Sequence, residues 1–181
     1  MEKTHWRSHN FRKESLIITL NGLKESIDYL KKKYEEIEWY DGIFFTEEVE
    51  PIYGLALIAF QNYINSSVYD LDESLNRKIE FYKAGNKLKE YEGTDIELII
   101  ALANYFKHRD DDKTIHKGTS MTLDKFNLDY SESVDIVASP IMRGIELIAS
   151  DSNLRNVAKI VFDWRESLWE KRIEENQPQP K

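Results

Sequence analysis

Arg109 and His116 are the residue pair in this chain best suited to chemistry. They stand seven positions apart, close to two helical turns, so on a continuous helix both would project from one face. Such a pair suits phosphoryl transfer on RNA. The imidazole can take the proton of a ribose 2′-hydroxyl while the guanidinium fork holds the phosphate as charge develops on it. The reaction is a transesterification that leaves a cyclic phosphate and needs no metal. The competing explanation is structural: cations gather at helix C-termini because the helix dipole favours them there.

Other groups crowd the same stretch. Asn104 and His108 share a face at i and i+4, so the carboxamide could orient the imidazole and make His108 the general base in place of His116. An Asn–His pair can equally do no more than fix the loop that follows. Lys107, Lys113 and Lys117 are the cations that would dock an RNA phosphate, against the negative charge of Asp110, Asp111 and Asp112. Three consecutive aspartates cannot all face one ion from a helix, and the EF-hand spacing with its glycine is missing, so a solvated acidic turn is expected and no metal. The carboxylates at Glu35, Glu36 and Glu38 and at Glu47, Glu48 and Glu50 fall near predicted helix ends, where acids are common. They have no matching acidic pair downstream. Nucleotide loops, nucleophile elbows, HExxH and zinc spacings are absent, and no cofactor is predicted.

The element that must position these groups starts at Thr94. Thr94 with Glu97 three residues on is a capping box, and Gly93 ends whatever precedes it. Ile96, Ile99, Ile100, Ala103 and Phe106 make one helical stripe, and Leu98, Leu102 and Tyr105 a second beside it. An apolar arc so wide predicts a helix covered on most sides. The remaining strip, Glu97, Ala101, Asn104 and His108, must face water or something polar in a cleft.

Around it the chain reads as helical scaffold. Leu16, Leu20, Leu23, Ile27, Leu30, Tyr34 and Ile37 alternate steps of four and three, a seam that predicts one long helix from about Phe11 to Trp39. A second helix is expected from about Thr46, with Pro51 near its start, continuing through an apolar run to Leu71. Asp72 is a candidate cap for a further helix through Tyr82. From Asp112 to about Ser131 periodicity is lost, and a long loop is expected. Ser139 before Pro140 marks another helix start. Asp151 or Ser152 is expected to cap the last helix, where Leu154, Val157, Val161, Trp164 and Leu168 repeat the seam. The fold class predicted is all-α, an antiparallel bundle of five to six helices, with residues 1–175 as one domain and 176–181 as a disordered tail.

The composition places limits on function. A chain of 181 residues with 41% hydrophobic and 32% charged residues is ordinary for a globular protein. No cysteine means no disulfide and no thiolate chemistry. A net charge of −8 argues against broad binding of nucleic acid, though not against a small basic site inside an acidic shell. No apolar run approaches the roughly 20 residues that span a bilayer. The first residues lack the apolar segment and cleavage site of a signal peptide. A cytoplasmic protein with no membrane contact is expected.

The segment ANYFKHRD with Arg109, Asp110 and His116, set in a helical chain of this size, resembles the HEPN superfamily of prokaryotic defence and toxin ribonucleases. The motif of that family is arginine, a polar residue and then histidine after a gap of about four to six residues. The resemblance implies a bundle of helices, usually a homodimer with the motif at a cleft between subunits. It makes Arg109 and His116 catalytic, with Asp110 supporting them. Two functions follow as expectations. One is a metal-independent endoribonuclease of toxin or phage-defence type, with RNA as substrate and an antitoxin or other protein as partner. The other is a non-catalytic helical module for interaction or dimerisation.

Overall fold

The computed structural model describes residues 6–111, 115–130 and 139–175. A 3₁₀ turn, Trp6–Ser8, precedes α1 (Lys13–Glu36), α2 (Gly42–Asp72), α3 (Lys78–Tyr82), α4 (Asp95–His108), α5 (Lys117–Asp124), α6 (Pro140–Ile148) and α7 (Leu154–Glu175). The all-α class holds, with seven α-helices among the described residues where five to six were expected. No strand forms among the described residues beyond one isolated bridge between Lys87 and Thr94.

The helix starts follow local chemistry. At Thr94 both halves of the capping box form: the Thr94 hydroxyl accepts from the Glu97 amide at 3.2 Å, and the Glu97 carboxylate accepts from the Thr94 amide at 3.0 Å. The Ser139 hydroxyl caps α6 ahead of Pro140. Elsewhere the boundaries differ from those expected. α2 begins at Gly42, because the Asp41 carboxylate accepts from the amides of Ile43 and Phe44. Pro51 therefore lies well inside the helix, where it cannot donate to the Glu47 carbonyl. Asp72 ends α2 rather than capping the next helix, since Glu73 turns the backbone left-handed at φ 55°. Asn153, not Asp151 or Ser152, receives the first free amide of α7, that of Arg155. The expected long loop contains α5, started by His116.

Ion pairs reveal the helix directions. Arg12 at the start of α1 pairs with Asp70 near the end of α2, and Lys33 near the end of α1 pairs with Glu48 early in α2, so α1 and α2 are antiparallel. Arg109, which caps α4, reaches Glu50 near the start of α2, and Asn104 meets Gln61, so α4 is antiparallel to α2 as well. α7 instead runs alongside α2 in the same direction: Tyr53 bonds the Ser152 carbonyl and Tyr63 packs on Phe162.

α2 and α4 form the centre. Asp95 through Ala103 are all buried, nine consecutive residues. Ile96, Leu98, Ile99 and Leu102 are 0% exposed, and burying each of them stabilises the fold by about 1.5–3 kcal/mol. Two glycines set the spacing here. A Cβ on Gly54 of α2 would overlap the Phe106 ring of α4, and one on Gly144 of α6 would overlap Leu102. The α7 seam is consumed inside the chain, with Leu154, Val157, Val161, Trp164 and Leu168 buried; so is most of the α1 seam, where Leu16, Leu20, Ile27 and Leu30 are buried and Tyr34 is exposed. No helix among the described residues is long and apolar enough to cross a membrane.

Candidate functional site

α4 ends at His108, so Arg109 and His116 do not share a helical face. The physical reason is at both ends of the break. The Arg109 amide closes the last turn on the Tyr105 carbonyl, and His116 takes the N-cap position of α5, its Nδ1 accepting from the Gly118 amide at 3.1 Å. The two side chains go to different places.

Arg109 turns toward α2. Its Nη1 donates to Glu50 Oε2 at 2.7 Å, its guanidinium lies over the Phe106 ring at 5.0 Å, and its Nε is 3.7 Å from the exposed Asp110 carboxylate. Glu50 is 3% exposed, and its other oxygen accepts from the Ser139 hydroxyl. Burial acts to lower the pKa of Arg109; the hydrogen bond and charge of Glu50 more than offset it and hold the guanidinium above its ordinary value. This is a closed ionic site joining α2, α4 and the start of α6. His108 points outward, its Nδ1 2.9 Å from Asp111. Asn104 and His108 therefore do not act together.

On another side of α4 lies a cleft of about 510 Å³. Its floor is the polar strip anticipated from the sequence, Glu97, Ala101 and Asn104, together with Gln61 and Asn65 of α2. α3 supplies one wall with Lys78, Tyr82 and its C-cap Lys83. The other wall comes from α5 with Thr119, Thr122 and its C-cap Lys125, next to its N-cap His116. Lys107 lines it too. Of the residues predicted from sequence, Asn104, Lys107 and His116 meet here. Arg109, Asp110 and His108 do not, and Lys117 at the start of α5 is exposed without lining the cleft. Lys113 lies outside the described residues.

The hydrogen bonds fix which atoms the cleft offers. Lysine can only donate, so Gln61 must turn its oxygen to Lys107 Nζ, at 2.7 Å. Its NH₂ then donates to Asn104 Oδ1 at 2.8 Å, and the Asn104 NH₂ remains as a donor. Asn65 turns its oxygen to the Tyr82 hydroxyl, which leaves its NH₂ as a donor too. Burial pushes that phenol up to about 12, so it stays a neutral donor. Glu97 has both oxygens engaged, one by the Thr94 amide and one by Lys125 Nζ at 3.1 Å. His116, with Nδ1 accepting, carries a single ring proton on Nε2. Acceptors are thus turned inward and donors outward. Lys78, Lys83 and Lys107 have no carboxylate within ion-pair distance among the described residues.

Gln61, Asn65, Lys78, Lys83 and Lys125 were not singled out from the sequence. Gln61 and Asn65 did carry a signal: two amides one turn apart, so on one face, in a helix that is apolar on most sides. The lysines had none, since they look like any solvated face. Among the described residues no group of three His, Asp or Glu side chains could hold a metal ion. Compared with models of protein families, with characterised proteins and with solved structures, the chain matches none.

Proposed function

We propose that the chain is a HEPN-like helical binding module that does not cleave RNA at Arg109 and His116. The observation that carries this is the engagement of Arg109 by Glu50, whose other oxygen is taken by Ser139. A guanidinium hydrogen-bonded to a buried carboxylate has its charge balanced and its fork partly occupied, and is poorly placed to stabilise a phosphorane. His116 adds to the case, because the lone pair a general base needs is taken by the Gly118 amide. The module recognises its partner through the cleft on α4. The homodimer implied by the resemblance belongs to the same proposal; most residues of the α1 and α7 seams are already buried within the chain and would not supply its contact.

The metal-independent ribonuclease of toxin or defence type is the competing function. A mixed RNA pool incubated with purified protein in EDTA, beside the Arg109→Ala/His116→Ala variant, decides between them. The RNA is expected to stay intact in both. Cleavage by the wild type that disappears in the variant would refute the module and restore the ribonuclease.

A further inference from the structure

The cleft has a chemical preference that the module reading alone does not specify. It is lined by four lysines, Lys78, Lys83, Lys107 and Lys125, against one carboxylate, Glu97, on a chain whose net charge is −8. In a protein this acidic, random surface chemistry would put more acids than lysines around a cavity of this size. The cations also come from three parts of the fold, α3, α4 and α5 with the residues that follow them, so they surround the space rather than forming a stripe along one helix. A stripe would track the backbone of a polymer. An enclosing set suits a compact ligand, and about 510 Å³ lies within the usual range for small-molecule sites, roughly 300–1,000 Å³.

The uncharged donors point the same way. The Asn65 and Asn104 NH₂ groups and the His116 Nε2 proton add to the ammonium groups, whereas the Glu97 oxygens and both asparagine oxygens are engaged within the protein. A ligand rich in acceptor oxygens and carrying more than one negative charge is what such a lining can satisfy. No arginine lines the cleft among the described residues. Lysines act as point charges that meet phosphate oxygens from several directions, whereas a planar carboxylate favours the arginine fork. Ile79 and Met121, each about half exposed at the rim, add an apolar edge for the body of the ligand.

We propose that the cleft binds a small organic phosphate with at least two negative charges, held by Lys78, Lys83, Lys107 and Lys125 and oriented by Asn65 and Asn104. This rests on the cleft being the binding site of the module. Calorimetric titration of the full chain with inorganic pyrophosphate, without divalent cations and at low salt, is the test. Saturable one-to-one binding is expected, weaker by about tenfold or more in Lys78→Ala/Lys83→Ala. It should weaken again as salt rises. Both lysines sit at a short, largely solvent-facing helix, so the variant keeps its fold, which circular dichroism checks. Asn65→Leu tests the amide independently and should also weaken binding, with the lysines intact. Failure of pyrophosphate to bind, or binding that both variants leave unchanged, overturns the proposal. So does lysine-dependent binding of single-stranded RNA that pyrophosphate does not displace, since the site would then serve a polymer. RNA cleavage in the EDTA assay would overturn the module reading instead, and the two failures are read in separate experiments.

Discussion

Lys107 and Arg109 stand two residues apart at the end of α4 and have opposite environments. Arg109 meets a buried carboxylate at 2.7 Å and an aromatic face at 5.0 Å; Lys107 meets a neutral carboxamide at 2.7 Å on the edge of a cleft. Both are cations at a helix C-terminus, where the dipole favours them equally. What separates them is the partner. A cation matched by a buried carboxylate is part of the fold, because removing either member strands a charge. A cation held only by an amide keeps its charge available to something from outside.

The contrast can be broken most sharply at Glu50. Glu50→Ala leaves Arg109 and the Ser139 hydroxyl without their acceptor, and is expected to lower the unfolding free energy by about 3 kcal/mol or more. Lys107→Ala should change it by no more than about 0.5 kcal/mol. Urea denaturation of the two variants measures both, and equal losses would erase the distinction. A middling effect is expected at Gly54. A Cβ there displaces the Phe106 ring on which the Arg109 guanidinium lies, so Gly54→Ala should cost about 1–3 kcal/mol in the same measurement. Its loss would localise to the locked side if Phe106→Leu relieves it. The smallest effect belongs to His116. His116→Ala removes the cap of α5 and should cost about 1 kcal/mol, whereas His116→Asn keeps an acceptor for the Gly118 amide and should cost less. Thermal melts in which the two substitutions are equivalent would show that the imidazole is not needed as a cap.

Much of α4 is legible in the residues themselves. The capping box, the two apolar stripes and the polar strip from Glu97 to Asn104 all depend on residues within a few positions of one another, and helical periodicity converts those spacings into faces. The strip ends one turn earlier than expected, at Asn104, because His108 sits in the last turn and turns to Asp111. The start of α2 is harder to read, because Thr46 with its acidic followers looks as sufficient a local start as Asp41. The partner of Arg109 is not legible at all. Glu50 looks like one of several acids near a helix start, and nothing local distinguishes the one that the crossing of α2 and α4 buries.

The sequence by itself determined the helical class, the polar face of α4 and the small count of groups able to do chemistry. Those follow from period and residue type, which act over a turn or two. Only the tertiary structure decided that Arg109 is locked and Lys107 open, and that Lys78, Lys83 and Lys125 converge on the same space. These relations join residues far apart in the chain, Lys125 with Lys107 and Arg109 with Glu50 among them. The Arg109–Glu50 pair forms where Gly54 lets α2 and α4 approach closely, and charge pairing across such a contact has no trace in local spacing.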